Sequence, residues 1–303
     1  MTVIECKHVW KSYGGKHALN NINFAIEENK ITGVIGRNGA GKTTMLKILA
    51  GFSKETSGEV KVFGEKPFNS LLVSANSMMI DHDMNLPATL MLHEIIEEMN
   101  RFYPNFNGDL AFRLLNYFSL GKNQFIQNLS KGMKSTFHSI LGLSARCALT
   151  IFDEPTIGMD ASVRKDFYRA LIKEFIAFPR TILISSHHLE EIEDLLEDIL
   201  LIKDGEVSLH VPIEQLKEWA VAVQGQTSVI SDWIKDKEVI YTKELSSSSS
   251  YVVVKNTLSK EEKHMLAALG IELMSVSSSD VCVYLTSKSK GGIDDVFRAS
   301  KLS

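Results

Sequence analysis

The first two thirds of the chain alternate short runs of β-branched and aliphatic residues with longer segments of helical spacing. The short apolar runs predict strands at residues 22–26, 31–35, 59–63, 149–152, 181–185 and 199–202. Strands that alternate with helices are typical of a mostly parallel sheet with helices packed on its faces. The pattern therefore predicts an α/β domain over residues 1–211.

The spacing of apolar residues changes between residues 86 and 148. Large apolar side chains recur there at helical spacing, and no strand pattern lies between them. The positions that show this spacing are Leu90, Ile95, Met99, Leu110, Leu114, Leu115 and Phe118. We interpret this stretch as a helical subdomain inserted into the α/β domain.

Residues 212–303 show a shorter alternation of apolar runs and helical patterns. Strands are predicted at residues 220–224, 239–245, 251–254, 271–276 and 281–285, and helices at residues 228–234 and 259–269. Two strand-helix-strand passes in this order indicate a small α+β domain of βαββαβ type. Five serines at residues 246–250 separate two of the strands and predict a hairpin loop.

Composition and charge narrow the classes of protein to which the chain can belong. Its 303 residues are 44% hydrophobic and 23% charged, which is typical of a folded globular chain. A net charge of -4 gives no basic field, so we predict no nucleic-acid partner. Three widely spaced cysteines indicate a reducing compartment, and the chain has neither a signal-peptide core nor a long apolar run. We therefore expect it to stay in the cytosol and outside the membrane.

A glycine-rich segment follows the strand predicted at residues 31–35, and an apolar helical pattern follows that segment. The sequence matches G-x-x-x-x-G-K-[ST], a loop whose backbone N–H groups bind phosphate together with the N-terminus of the next helix. Lys42 can reach the β- and γ-phosphates, and the Thr43 hydroxyl is suited to bind Mg²⁺. The predicted phosphate-binding residues are Gly36, Arg37, Asn38, Gly39, Ala40, Gly41, Lys42, Thr43 and Thr44.

Two acidic residues end the apolar strand predicted at residues 149–152. Asp153 at the tip of the strand is suited to hold Mg²⁺, and Glu154 can polarise or deprotonate an attacking water. The chain contains no Asn-Lys-x-Asp element of the kind that reads guanine. The sequence therefore predicts an enzyme that binds and hydrolyses ATP.

In this order and spacing, the motifs resemble the nucleotide-binding subunits of ATP-binding cassette (ABC) transporters. The signature sequence of that family is matched by Leu129-Ser130-Lys131-Gly132-Met133, which lies between the two nucleotide motifs. The resemblance implies that Ser130 and Gly132 contact the γ-phosphate bound by the opposite subunit. Lys131 and Met133 depart from the common Leu-Ser-Gly-Gly-Gln form of this sequence.

The resemblance also implies roles for residues outside these motifs. Tyr13 matches the aromatic residue on which adenine stacks, and Asp160 matches the aspartate of a loop that couples the two sites of a dimer. His187 matches a histidine that contacts the γ-phosphate and assists Glu154 in catalysis. The glutamine that usually binds Mg²⁺ is missing, and His82 falls nearest its position, with Asp81 as the alternative.

The resemblance implies an ABC-type ATPase fold of the P-loop class and a subunit that dimerises around two ATP molecules. The partner is a second copy or a paralogue, and the dimer drives an ABC-2-type permease in a separate chain. The signature form and the extra C-terminal domain look most like the bacterial YtrB-type branch, which is associated with export of peptides or antibiotics. Such a subunit is cytoplasmic and peripheral on the inner face of the cell membrane.

The C-terminal domain carries none of the nucleotide motifs, and its role is a separate question. We predict that one face or edge of its sheet is covered by a second copy, so that the domain serves dimerisation. Packing on its own cassette or on the permease is the alternative.

Two rival functions also fit an ABC-type cassette. An ABC ATPase that acts on nucleic acid usually has two cassettes, a long coiled coil or basic arms, and this chain shows none of these in its sequence. A regulatory module that holds ATP without turnover is disfavoured by Glu154 and His187.

Overall fold

The chain divides into two compact units, Met1–His210 and Val211–Ser303. The computed structural model describes residues 1–81 and 84–287. Within these described ranges, no helix combines the length and the apolar character needed to cross a bilayer. The two units have separate sheets and separate apolar cores.

The first unit contains two sheets. Its strands are β1 (Thr2–Tyr13), β2 (Lys16–Glu27), β3 (Ile31–Ile35), β4 (Ser57–Val62), β5 (Ser77–Ile80), β6 (Leu149–Asp153), β7 (Thr181–Ser186), β8 (Asp198–Lys203) and β9 (Glu206–Pro212). The larger sheet has the order β5-β6-β7-β3-β8-β9, and β5, β6, β7, β3 and β8 pair in parallel. Every residue of β3, β6 and β7 is buried, as expected for central strands covered on both faces.

The smaller sheet, with the order β2-β1-β4, is antiparallel. Strands β1, β5 and β9 were not predicted from the sequence. In β1 only Ile4, Cys6 and Val9 are buried, and polar residues occupy most other positions, so the strand lacks a continuous apolar run. Its antiparallel pairing with β2 and β4 stabilises it instead.

The helices of the first unit are α1 (Lys42–Leu49), α2 (Leu71–Asn76), α3 (Leu92–Phe102), α4 (Gly108–Tyr117), α5 (Lys131–Ala145) and α6 (Ala161–Ala177). Helices α3, α4 and α5 occupy the stretch between residues 86 and 148, which contains no strand. Helix α5 is the most buried of them, because eleven consecutive residues from Ser135 to Ala145 are shielded from solvent.

The second unit begins with α7 (Ile213–Lys217) and then follows the predicted βαββαβ order. Its elements are β10 (Ala220–Gln226), α8 (Thr227–Trp233), β11 (Val239–Glu244), β12 (Ser249–Lys255), α9 (Lys260–Ala268), β13 (Glu272–Ser275) and α10 (Ser278–Thr286). The sheet is antiparallel with the order β11-β12-β10-β13. Val223, Val252 and Val254 form a core on one face with Ile230 of α8 and Leu266 of α9.

Two predictions for this unit are wrong in detail. Ser249 and Ser250 belong to β12, and the buried Ser250 hydroxyl lies 2.8 Å from the Thr227 hydroxyl, so the loop is shorter than the serine run. The strand predicted at residues 281–285 is the helix α10. Ser277 begins this helix, because its hydroxyl accepts a hydrogen bond from the Asp280 N–H at 3.0 Å.

Helix α10 covers part of the second face of this sheet. Tyr241 of β11 is in register with Val253, which alternates with the core residues Val252 and Val254 and therefore lies on the opposite face. The Tyr284 ring of α10 stacks on the Tyr241 ring with 4.2 Å between their centroids. The chain itself therefore covers part of this second face. That a second copy covers a face or edge of the sheet, and that the domain serves dimerisation, stay predictions.

Candidate active site

The glycine-rich loop connects β3 to α1 and is held in a shape that only glycine allows at two positions. A Cβ at Gly36 would collide with the main-chain oxygen of Ile202 in β8. Gly41 has a φ of 108°, and a Cβ there would lie 2.6 Å from the Ala18 oxygen. Because Gly41 directly precedes α1, the loop ends at the positive end of this helix, where anions bind.

Lys42 is a buried cation in the first turn of α1, and it is only 5% exposed. Its Nζ donates to the Gly36 oxygen at 2.8 Å and lies 3.3 Å from Oε1 of Glu154. A buried positive charge is stabilised by anionic partners such as Glu154, and the start of a helix, which disfavours a cation, adds to the need for negative charge near Lys42. The environment of Lys42 is therefore suited to phosphate oxygens.

Asp153 is 2% exposed and holds two hydroxyl groups on its carboxylate. Oδ2 accepts from the Thr43 hydroxyl at 2.6 Å, and Oδ1 accepts from the Ser185 hydroxyl at 2.5 Å. Asp153 and Ser185 are register partners at the carboxyl ends of β6 and β7. Hydroxyl and carboxylate oxygens are the hard ligands that Mg²⁺ takes, so Thr43 and Asp153 fit a magnesium site.

Glu154 follows Asp153 in a left-handed backbone conformation, with a φ of 48°. Its N–H donates to the Ser185 hydroxyl at 2.9 Å, which holds this strained turn in place. Its carboxylate lies between Lys42 and His187, whose Nδ1 is 3.2 Å from Oε2. The structure thus brings together the two predicted catalytic residues, Glu154 and His187, and the predicted phosphate-binding lysine.

Lys42, Asp153 and Glu154 line a cavity of about 500 Å³ that is large enough for a nucleotide, whereas His187 is not among its lining residues. Tyr13 stands at its edge with 52% of its surface exposed. The described residues that line the cavity are Tyr13, Lys16, His17, Ala18, Asn38, Gly39, Gly41, Lys42, Thr43, Thr44, Asp153, Glu154 and Ile157.

Sequence reasoning missed several residues at this site. Lys16, His17 and Ala18 line the cavity because they follow the β1–β2 turn directly after Tyr13. Ser185 contacts both acidic residues, and the sequence feature that could have identified it was its position at the end of a predicted strand.

Trp10 is 37% exposed and packs edge-on against His17 with 5.8 Å between ring centroids, so it does not belong to the core.

The signature segment lies outside this cavity. The Ser130 hydroxyl begins α5 by accepting from the Met133 N–H at 3.3 Å. A Cβ at Gly132 would collide with the Gly158 oxygen, and the Ser135 hydroxyl donates to the Ile157 oxygen at 2.7 Å. Ser130, Gly132 and Asp160 are not among the described residues that line the cavity of this chain.

Buried side chains of α5 and α6 contact the loop from Glu154 to α6. Asp160 is exposed and directly precedes α6. The Thr156 and Tyr168 hydroxyls are 3.3 Å apart, and burial raises the pKa of Tyr168 to about 12. Tyr168 therefore stays a neutral phenol that can donate to this loop.

The position of the missing glutamine is only partly described. The predicted magnesium ligand His82, together with Asp83, lies outside the described residues. Asp81 is described, and its Oδ2 lies 3.7 Å from Nζ of Lys47 rather than at the cavity. His138 of α5 lies close to the Asp81 main chain, and burial lowers the pKa of His138 to about 4. His138 is therefore neutral near pH 7.

Comparison with known proteins agrees with this geometry. A family model described as ABC transporter matches residues 19–157. The ABC transporter ATP-binding protein YtrB of Bacillus subtilis (strain 168) is 29% identical over 222 residues, covering 73% of this chain and 76% of YtrB. The bacitracin transport ATP-binding protein BcrA of Bacillus licheniformis is 30% identical over 220 residues, covering 72% of each chain. The lantibiotic transport ATP-binding protein SrtF of Streptococcus pyogenes is 31% identical over 209 residues, covering 68% of this chain and 90% of SrtF.

A solved structure of an ATP-binding subunit of an ABC transporter shares the fold of this chain. It superimposes with a TM-score of 0.64 at 22% sequence identity, and the match covers 71% of this chain and 92% of that subunit.

Proposed function

Because the chain belongs to the family of ABC transporter ATP-binding proteins and is an ATPase, we propose that two such subunits close around two ATP molecules to drive a separate permease. One observation carries the proposal. Lys42, Asp153 and Glu154 meet in one cavity, whereas Ser130 and Gly132 lie outside the cavity of their own chain. A second subunit that presents its signature segment to this cavity would complete the site. That subunit is either a second copy or a paralogue.

The residues of the cavity have separate tasks in hydrolysis. The loop of residues 36–44 and Lys42 bind the phosphates, and Tyr13 stacks on the adenine. Glu154 orients the attacking water and takes its proton, while His187, 3.2 Å from Glu154, contacts the γ-phosphate. Ser130, Gly132 and Asp160 serve the site of the opposite subunit. Positioning and charge stabilisation supply the rate increase, and no covalent intermediate is required.

Mg²⁺ would be held by Thr43 and Asp153, whose oxygens are already 2.6 Å apart. The bound ion would neutralise charge on the β- and γ-phosphates. His82 is proposed as a further contact from its place in the sequence alone.

We further propose that the permease is of the ABC-2 type and exports peptides or antibiotic-like molecules. Support comes from BcrA and SrtF, which are named for bacitracin and lantibiotic transport. The subunit would then lie in the cytoplasm, bound to the permease at the inner face of the membrane. The net charge of -4 supports a partner other than nucleic acid.

The variant Glu154→Gln tests this proposal. It keeps an oxygen beside Lys42 but removes the base, so we expect ATP binding to persist while hydrolysis falls by about a hundredfold or more. The variant should then elute as a dimer with ATP and Mg²⁺ in size-exclusion chromatography.

ADP in place of ATP is the matched control. With ADP the variant should keep the oligomeric state that it has without nucleotide. Near-normal turnover by Glu154→Gln would remove Glu154 from its role. If the nucleotide-free variant is a monomer, an unchanged elution volume with ATP would argue against the closed dimer.

A further inference from the structure

The ring of Tyr13 has a charged neighbour on one of its faces. Tyr13 ends β1, and the turn at Gly14 and Gly15 leads directly into β2. Two residues before the ring, Lys11 places its Nζ 4.8 Å from the ring centroid. An ammonium at this distance over an aromatic face makes a cation–π contact. One face of the ring is therefore occupied, and the other is left for a nucleotide base.

The ammonium of Lys11 is fixed by the neighbouring chain segment. Lys11 Nζ donates to the Lys54 oxygen at 2.5 Å. The same segment holds the end of β1, because the Ser12 N–H donates to the Thr56 hydroxyl at 3.0 Å and the Thr56 N–H donates to the Trp10 oxygen at 2.8 Å. Lys11 therefore links the aromatic ring to the residues that precede β4.

Tyr13 benefits from such a support because about half of its surface is exposed. The side chain is 52% exposed, and Gly14 and Gly15, which follow it, have no side chains to pack against it. A free aromatic side chain loses rotational freedom when a base stacks on it, and a ring that is already held loses less.

We propose that Lys11 is a positioning residue that holds the Tyr13 ring in the orientation needed to stack on the adenine of the nucleotide. The proposal rests on the proposed function, in which Tyr13 is the base-stacking residue. Lys11 itself is not assigned to the phosphates. Its ammonium donates to the main-chain oxygen of Lys54, and Lys42 is the lysine of the phosphate site.

Binding of ADP to the full chain tests the proposal without hydrolysis. Loss of an exposed cation–π contact corresponds to about a two- to fivefold change in affinity, so Lys11→Met should weaken ADP binding by that factor in titration calorimetry. Inorganic tripolyphosphate, which has no base, should bind Lys11→Met as it binds the unchanged chain. Lys11→Arg should restore ADP binding, since a guanidinium also packs on aromatic faces.

Lys7→Met is the matched control, because Lys7 lies on the same strand and pairs with Glu5 instead of an aromatic ring. It should leave both affinities unchanged. In steady-state kinetics, Lys11→Met should raise the KM for ATP and leave kcat unchanged, which a general loss of folded protein would not do.

A double-mutant cycle with Tyr13→Ala decides whether Lys11 acts through the ring. Lys11→Met should have no effect on ADP binding once Tyr13 is alanine. A persisting effect, or an equal loss of tripolyphosphate binding, would overturn the proposal. Unchanged ADP binding by Lys11→Met would also overturn it. The proposed function is tested separately: if Glu154→Gln forms a dimer with ATP, that function stands even when the role of Lys11 fails.

Discussion

A single serine contacts both acidic residues of the cavity. The Ser185 hydroxyl donates to Oδ1 of Asp153 and accepts from the N–H of Glu154 at 2.9 Å. It therefore fixes the carboxylate that is proposed to hold Mg²⁺ and the strained backbone of the proposed catalytic residue Glu154. Both contacts are to groups of the protein itself, so Ser185 is a positioning residue that acts through Asp153 and Glu154.

We expect Ser185→Ala to lower kcat for ATP hydrolysis by about tenfold or more, because a hydrogen bond to a buried charged group is worth about 1.5–3 kcal/mol. The KM for ATP should change less, since the phosphate loop and Lys42 remain in place. Steady-state kinetics at several Mg²⁺ concentrations would measure both effects, and the requirement for Mg²⁺ should rise.

Ser139→Ala is a suitable control for this substitution. Ser139 is buried in α5, and its hydroxyl has no hydrogen-bond partner in the described part of the chain, so its loss should not reduce activity. Equal kcat values for the two variants would show that Ser185 does not position the acidic pair.

At the scale of elements, helix α5 and the loop that follows Glu154 form one packed surface. Gly132 lies so close to the Gly158 oxygen that no Cβ fits, and Ser135 donates to Ile157 in the same loop. The hydroxyl of Thr136 donates back to the Gly132 oxygen at 2.8 Å. The position of the signature segment therefore depends on the loop that begins at Glu154.

Gly132→Ala should disturb this surface, whereas the loop between β3 and α1, which is proposed to bind the phosphates of ADP, lies outside it. Overpacking of this kind costs about 1–3 kcal/mol. In the Glu154→Gln background we expect ATP-dependent dimerisation to weaken by about tenfold or more. Analytical ultracentrifugation with ATP measures the dimer, and calorimetry with ADP should show unchanged binding to the single subunit.

Gly108→Ala gives the matched control in the same helical region. Gly108 is the first residue of α4, and the nearest neighbour of an added Cβ would be the Asn100 side chain at 3.8 Å. Dimerisation as strong in Gly132→Ala as in Gly108→Ala would mean that the signature segment does not need its close contact with the loop.

At the scale of the whole molecule, every proposed nucleotide-site residue lies in the unit Met1–His210. Strand β9 extends to Pro212 and forms the edge of the six-stranded sheet, so a shortened chain must keep it. The second unit has its own core, formed by the βαββαβ elements. The role of the second unit can therefore be tested by removal.

A chain that ends at Pro212 should bind ADP with the affinity of the full chain. If the second unit serves dimerisation, light scattering without nucleotide should show a dimer for the full chain and a monomer for the shortened one. The linked dimer would keep two cassettes at high effective concentration between ATP cycles. Monomers in both cases would assign the second unit to another role.

The sequence alone determined the chemistry that depends on neighbours along the chain. The proposed phosphate loop, the two acidic residues at the end of β6 and the turn before α5 each need a particular residue type at a particular spacing. Gly41, Lys42 and Thr43 are examples, because one backbone turn and the first helical turn after it place all three. The central strands were equally predictable from the sequence, since burial on both faces requires continuous apolar runs.

Only the tertiary structure decided which of these pieces meet. Asp153 and Ser185 are far apart in sequence, and they meet because β6 and β7 are parallel neighbours in register. Residues 281–285 are part of a helix although valine and tyrosine favour strands. This helix begins at the Ser277 cap and packs Tyr284 on Tyr241 of the distant strand β11. Local preferences are small and act over a few residues, whereas strand order and burial join distant residues and therefore appear only in the folded chain.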